Sequence, residues 1–148
     1  MIAEVLSLPE NLVIDANSEV DVSALSYFIT VIESYHSEIG QEINYDGDEE
    51  KEVLNSIREV TISVNAYGLN SYEIISKLTA SMNLTPVWQA LKDLGIGFLR
   101  SSQVRNLPTT IAAGKENRAQ VDLIFSINHI IQADVRRGDY VQIKTEIN

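Results

Sequence analysis

The sequence of 148 residues contains no cysteine. Disulfide bonds and thiolate-bound metal ions are therefore excluded, which fits a protein of the reducing cytosol or of a particle assembled there. It also contains only two histidines, His36 and His129. Neither stands beside a serine-glycine elbow or a second ligand at helical spacing, so a catalytic histidine pair is not predicted.

Long apolar runs are absent too. No stretch approaches the roughly 18 residues that a membrane-spanning helix needs. The first residues, 1–6, carry the acid Glu4 where a signal peptide carries bases. We therefore expect a soluble protein that is not secreted by that route and has no membrane partner.

Basic residues are scarce in the first third of the chain. Residues 1–52 contain thirteen Asp and Glu against one base, Lys51, whereas residues 53–148 contain eight acids and ten bases. The two parts carry −12 and +2, which sum to the net charge of −10. An acidic surface repels DNA phosphates, so specific duplex binding there is not expected. The acids either keep the protein soluble or create opposite poles that meet different partners, or each other in a ring.

Length and composition fit a single domain, 1–148. At this size about 70% of the surface of the unfolded chain is buried on folding, which suffices for one core. Residues 1–24 mix short apolar groups with Pro, Asn and Asp and have no sustained period, which predicts an N-terminal arm or a short helix. Residues 25–148 contain the periodic segments.

Two segments in the first half have the composition and alternation of β-strands. Residues 25–39 are rich in β-branched and aromatic side chains. Residues 59–66 place apolar side chains on one face and polar ones on the other, where they face water or a neighbour. Between them, Asp46 and Gly47 predict a hairpin turn, because both residues tolerate positive φ.

A first helix is predicted over residues 71–82. Asn70 and Glu73 have the spacing of a capping box, in which two side chains satisfy free amides of the first turn. Apolar residues recur at steps of three and four and form a stripe that can lie on a sheet: Tyr72, Ile75, Leu78 and Met82.

A second helix is predicted directly afterwards. Thr85 is its expected cap, Pro86 fits the first helical position, and Gly95 closes it as a left-handed residue. Its apolar stripe consists of Trp88, Leu91 and Leu94.

The remaining strands are predicted at residues 96–101, 118–130 and 140–144. The second of these has the longest alternation and is expected to be central or nearly so, whereas the last is an edge strand with outward charges. The order of elements predicts an α+β fold, an antiparallel or mixed β-sheet with a long β-hairpin and two helices packed on one face.

No pattern in the sequence predicts a catalytic, metal-binding or phosphate-binding site. The acidic cluster at residues 46–50 offers oxygen ligands but lacks the longer ligand series of a calcium loop. Gly95 and Gly97 form only Gly-x-Gly, and they follow a helix where a phosphate-binding fingerprint follows a strand. We therefore predict no catalytic residue, no metal, no cofactor and no enzyme activity.

Several segments from residue 65 onward recur together in one known family. They are the strand end Asn65-Ala66-Tyr67-Gly68, the amphipathic helix after it, residues 91–97, Val104-Arg105-Asn106-Leu107-Pro108, and residues 116–123. With these segments the sequence resembles the phage neck or tail terminator family of head-tail joining proteins. The resemblance covers about half to two-thirds of the chain.

The resemblance implies a structural virion protein of a tailed phage. Such a protein forms a ring, commonly of six subunits, that caps the tail tube and joins it to the head, and DNA passes through without specific binding. The implied partners are the tail tube protein and head-tail connector proteins, and the implied location is the tail or neck of the virion, after assembly in the host cytoplasm.

Within such a ring, the charge distribution suggests two sets of contact residues. The acidic hairpin tip would face the lumen or an adjoining ring: Asp46, Asp48, Glu49 and Glu50. The second set would contact a neighbouring subunit: Arg105, Glu116, Arg118, Arg136 and Arg137. Glu116 and Arg118 either pair across a subunit boundary or clamp a loop within one chain.

Two other function classes fit the same pattern. One is a non-enzymatic adaptor that binds a peptide or protein at an exposed sheet edge, motivated by the alternating C-terminal strands. The other is a small α+β enzyme whose site leaves no sequence signal.

Overall fold

The structure is a computed structural model that describes residues 1–111, 114–136 and 138; for residues 109–111 and 114–115 it describes the backbone alone. Arg137 and the predicted strand at residues 140–144 lie outside the described residues. The helices are α1 (Ile2–Leu6), α2 (Ser71–Ser81) and α3 (Thr85–Asp93), with a 3-10 turn at Glu10–Leu12. The strands are β1 (Val13–Asp15), β2 (Tyr27–Asp46), β3 (Lys51–Gly68), β4 (Ile96–Ser101), β5 (Arg105–Asn106), β6 (Thr109–Ile111), β7 (Gly114–Glu116) and β8 (Arg118–Asp134).

Six of these strands form one mixed sheet. Its order is β1-β2-β3-β8-β4, and β5 pairs with β8 beyond the end of β4. Only β1 runs parallel to its neighbour, and the other pairs are antiparallel. The short strands β6 and β7 pair with each other in a separate hairpin. The predicted α+β fold with a long hairpin is therefore confirmed, and β8 lies inside the sheet, between β3 and β4.

The hairpin of β2 and β3 is much longer than the sequence predicts. The two strands have 20 and 18 residues, and β8 follows β3 over its full 17 residues. Ladder hydrogen bonds on both sides of β3 hold polar segments extended although their side chains favour strands little. The turn falls at residues 47–50, as expected, but the residue with positive φ is Glu50, at 51°, and not Gly47.

The core lies between the sheet and α2. On one face of the sheet, which we call the helix face, Val64 stands opposite Val121 and Ala66 opposite Ala119, all fully buried. From α2 and the residue that follows it, three fully buried side chains pack against this layer: Ile75, Leu78 and Met82. Three of the four residues in the predicted stripe are thus core residues, whereas Tyr72 is half exposed.

Asn70 is the N-cap residue of α2, as predicted, but the predicted capping hydrogen bond is not formed, and the predicted cap of α3 is wrong. Asn70 precedes α2 in the left-handed conformation, with φ 63°, and its side chain caps no amide of the helix. The residue before α3 is Leu84, so Thr85 is already helical and Pro86 sits in the first turn. Gly95 follows α3 with φ 71°, as predicted.

The buried face of α3 also differs from the predicted stripe. Val87 and Leu91 are buried, whereas Trp88 and Leu94 are 56% and 67% exposed. The indole Nε1 of Trp88 donates to the carbonyl of Met82, 2.9 Å away, which holds the ring along the end of α2. The buried face of α3 therefore differs from the one that the apolar period predicts. We attribute this difference to the docking of its N-terminal turn against the end of α2.

The N-terminal residues belong to the packed structure. Leu6 of α1, Leu12 of the 3-10 turn and Ile14 of β1 are each buried. Strand β1 pairs with residues 29–31 of β2. This parallel strand of three residues was not predicted, because an apolar triplet does not distinguish a strand from a helix.

Candidate functional site

Beyond the helices, the sheet continues as a three-stranded extension, which we call the arm. It consists of residues 38–46 of β2, 51–57 of β3 and 128–134 of β8. The pairing of β3 with β8 is continuous, and that of β2 with β3 has one register shift within the arm, between Glu38 and Gly40. Nine residues of strand span about 30 Å. The arm therefore reaches well away from the core.

Large apolar side chains are exposed on both faces of the arm. Five of them have between 48% and 58% of their surface accessible: Ile43, Tyr45, Ile57, Ile130 and Ile131. Because the strand period is two residues, Ile43 and Ile131 share the helix face, and Ile57 and Ile130 share the opposite, back face. Clusters of this kind on a soluble protein mark surfaces that contact other macromolecules.

The tip of the arm is acidic. Asp46, Asp48, Glu49 and Glu50 are all exposed. The Oδ1 atom of Asp46 accepts hydrogen bonds from the backbone amides of Asp48 and Glu49, at 2.9 and 3.3 Å, so its carboxylate stabilises the turn. Backbone pairing continues past β8, since the amide of Val135 donates to the carbonyl of Glu50 at 2.8 Å.

One base lies within this acidic tip. The Nζ atom of Lys51 is 3.0 Å from Oε2 of Glu49. That hydrogen bond and the charge of Glu49 raise the pKa of Lys51 above its ordinary value, with smaller contributions from Asp134 and Asp46. The lysine therefore remains protonated and only partly offsets the negative charge of the tip.

A layer of polar side chains covers the back face of the sheet near its centre. Ser63 donates to Oδ1 of Asp122 at 2.8 Å and accepts from Gln120 at 2.7 Å. Oδ2 of Asp122 pairs with Nη2 of Arg105, and the Asp122 amide donates to the hydroxyl of Ser102 at 2.9 Å. These contacts bind the loop around β5 to the sheet.

Arg118 is anchored within its own chain. Its Nε and Nη2 atoms donate to Oδ1 of Asn65, at 3.3 and 2.9 Å. The guanidinium carbon lies 5.4 Å from the centre of the Tyr67 ring, which stacks on Phe28 with centroids 4.7 Å apart. These contacts join the start of β8 to β3 within one chain, and the predicted pairing of Arg118 with Glu116, across a subunit boundary or within a loop, stays a prediction.

The other predicted contact residues are dispersed. Arg105 lies in β5 and is half exposed despite its ion pair with Asp122. Glu116 ends β7, opposite Thr109 in the small hairpin. Arg136 is exposed just beyond the arm. The structure therefore brings Arg105 and Arg118 to the back face but places Arg136 at the opposite end of β8.

Sequence reasoning missed the back-face layer. Ser63 and Asn65 were predicted to face water or a neighbour, yet they are 5% and 6% exposed. Side chains of β8 and the Arg105 loop cover them within the same chain. The alternation of residues 59–66 identified the two faces, but nothing local indicates that the polar face is covered as well.

Neither a metal cluster nor a membrane helix is found where the structure describes the chain. In residues 1–111, 114–136 and 138, no group of three acid or histidine side chains could hold a metal ion. Within the same ranges, no helix is long and apolar enough to cross a bilayer.

The described residues thus combine an extended arm, exposed apolar side chains on both of its faces and an acidic tip. The sequence model of the family described as "Phage neck terminator protein" matches residues 2–148. The chain therefore belongs to the phage neck terminator family, and it is a structural component of the virion neck or tail, in contact with other head-tail proteins. No curated protein matches the chain in sequence.

Proposed function

We propose that this chain, acting as one domain over residues 1–148, forms a ring that caps the tail tube and joins it to the head. Family membership supports the place of the protein in the neck. The arm supports the ring, because its exposed isoleucines and Tyr45 would be covered by neighbouring copies. The partners are the tail tube protein and the connector proteins of the head, met during assembly in the host cytoplasm.

A ring of identical subunits needs two different complementary surfaces on each protomer. The arm supplies one of them. The predicted subunit-contact residues contribute less free charge than the sequence suggests, since Arg105 pairs with Asp122 within the chain. A further base, Arg100, is likewise paired with Glu59. We therefore propose that apolar contacts of the arm drive ring closure, with Glu116 and Arg136 at the boundary between subunits. We propose six subunits in the ring.

The acidic tip is proposed to face the lumen or an adjoining ring. At physiological salt, the phosphates of passing DNA are repelled by negative charges within about 8 Å, so a negative tip disfavours adhesion of the duplex. No base-specific contact is needed for this role. Asp46 has a structural part as well, because it accepts the turn amides.

The ring is tested by light scattering and negative-stain imaging of the full chain, alone and with purified tail tubes. Rings with a central hole, seated on tube ends, are the expected result. A dilute monomer by itself decides little, since assembly can require the tube. A monomer at high concentration with tail tubes present would contradict the proposal.

The role of the tip is tested separately, by replacing its four acids with amides: Asp46→Asn, Asp48→Asn, Glu49→Gln and Glu50→Gln. The amide oxygen that Asp46→Asn introduces can still accept the turn hydrogen bonds, and exposed charges contribute at most about 1 kcal/mol each, so folding should persist. Infectious particles should fall in number. A matched control neutralises four exposed acids elsewhere: Glu4, Glu10, Glu19 and Glu73. Normal particle yield from the tip variant would refute the lumen assignment while leaving the ring intact.

A further inference from the structure

A groove of about 520 Å³ lies between helix α3 and strand β4, and we call it the α3/β4 groove. Its large apolar lining residues are Trp88, Leu91, Ile96 and Phe98. Trp88, the only tryptophan of the chain, is 56% exposed there. Aromatic side chains in a concave surface are typical anchors of protein interfaces, because each buries a large apolar area. The groove therefore has the character of a docking surface for another protein.

The α3/β4 groove also carries a positive charge. Of the described residues that line it, Lys92 alone has a charged side chain, and that side chain is exposed. The neighbouring Asp93 does not line the groove, and its Oδ1 atom accepts a hydrogen bond from Gln89 at 2.9 Å. A partner that matches this surface has apolar side chains next to carboxylates.

The end of the arm has this combination. Ile43 and Tyr45 are two residues apart in β2, so both lie on the helix face, where they are 55% and 48% exposed. The exposed acids of the tip follow from Asp46 onward. Apolar side chains and carboxylates are therefore adjacent at the end of the arm.

We propose that the α3/β4 groove binds the end of the arm of a second copy of this chain. Ile43 and Tyr45 lie against the apolar side chains of the groove, and the acidic tip lies beside Lys92. This contact depends on the proposed ring, and it supplies the second of the two surfaces that each protomer needs.

The fold prevents a subunit from filling its own groove. In the sheet, β2 and β4 are separated by β3 and β8. Ile43 is aligned through Leu54 with Ile131, four residues along β8 from Ile127, which is the partner of Ile96. Four residues of strand and three strand spacings each amount to about 14 Å, which places Ile43 roughly 20 Å from Ile96 of its own chain. Surfaces at opposite sides of one sheet can repeat from copy to copy, as a heterologous contact does.

Cross-linking between two single-cysteine variants tests this contact directly, because the chain itself has no cysteine. Full-length Glu49→Cys protein, altered at the tip, is mixed with Gln89→Cys protein, altered at the groove. The mixture is assembled with and without purified tail tubes and treated with a short, flexible bismaleimide. Since thiols held in contact react at a high effective concentration, tip-to-groove dimers should form at least about ten-fold more than with Lys77→Cys, an exposed control position on α2.

A charge reversal gives an independent measurement. Lys92→Glu places a carboxylate beside the acidic tip, so the concentration at which half of the chain is in rings should rise by about ten-fold or more. Lys77→Glu makes the same change at an exposed lysine outside the groove and should leave that concentration within about two-fold. Circular dichroism of each variant shows that it has folded.

The outcomes separate this contact from the ring itself. Rings that cross-link from tip to groove and that are weakened by Lys92→Glu support the contact. Rings that form normally without cross-linking above the Lys77→Cys control overturn it and leave the proposed ring intact, as does equal assembly of the two charge-reversed variants. If the unaltered chain forms no rings even with tail tubes present, the ring is refuted and the contact with it.

Discussion

Replacing Arg118 with alanine separates the two roles considered for this residue. Its guanidinium makes two hydrogen bonds to Oδ1 of Asn65 and lies over the Tyr67 ring within one chain. Hydrogen bonds to a charged group contribute about 1.5–3 kcal/mol and an exposed cation-π contact about 0.5–1 kcal/mol. Because Arg118 is partly exposed, we expect Arg118→Ala to lower the free energy of unfolding by about 1.5–3 kcal/mol, leaving the acceptor of Asn65, itself 6% exposed, without its partner.

The assay is urea unfolding of the dilute monomer, followed by far-ultraviolet circular dichroism. For a domain of this size a slope of about 1–3 kcal/mol per molar urea converts the expected loss into a midpoint shift of about 1 M. Arg118→Lys should recover only a minor part, since an ammonium group cannot reproduce the planar fork. Arg136→Ala, an exposed arginine, is the matched control and should stay within about 0.5 kcal/mol. If both alanine variants unfold at the wild-type midpoint and Arg118→Ala impairs only ring formation, the contacts of Arg118 within its own chain do not stabilise the fold and the subunit contact is supported.

Three further changes test the fold and the arm tip. Leu123 is 1% exposed, and Leu123→Ala should lower the free energy of unfolding by about 2–5 kcal/mol. Leu84 is 55% exposed, and Leu84→Ala should lower it by less than about 0.5 kcal/mol. Equal urea midpoints for the two variants would contradict the placement of the core. Gly68→Ala should destabilise by at least about 1–3 kcal/mol, because φ is 95° and a Cβ would overlap a backbone carbonyl oxygen; an unchanged melting temperature would count against this geometry. Glu49→Gln should lower the pKa of Lys51 toward 10.5. The ion pair adds a small stabilisation of the folded state below pH 10.5, which is lost as the pH rises through the raised folded-state pKa, and the substitution should remove it. If NMR shows the same lysine titration in the variant, the ion pair is absent in solution.

The alternation and helical period of the sequence were enough to predict the class of fold. Period-two patterns at residues 59–66 and 118–130 identified β3 and β8, whose apolar side chains are buried up to Phe125, and a period near 3.6 identified α2, with Ile75 and Leu78 in the core. These features follow from local geometry, since the side-chain direction of a strand or helix is fixed by the backbone. The same is true of Gly95, whose left-handed conformation ends α3.

Only the tertiary structure decided how far the strands extend and what covers their polar face. Residues 40–58 have weak strand preference, but pairing of β3 with both β2 and β8 holds them in the arm. Burial of Ser63 and Asn65 depends on partners 53 to 59 residues away in sequence, Arg118, Gln120 and Asp122. The rotation of α3, which exposes Trp88 and buries Val87, is set by docking against the rest of the fold. Local sequence fixes the direction of each side chain relative to its own backbone, whereas burial is determined by long-range contacts that local sequence does not encode.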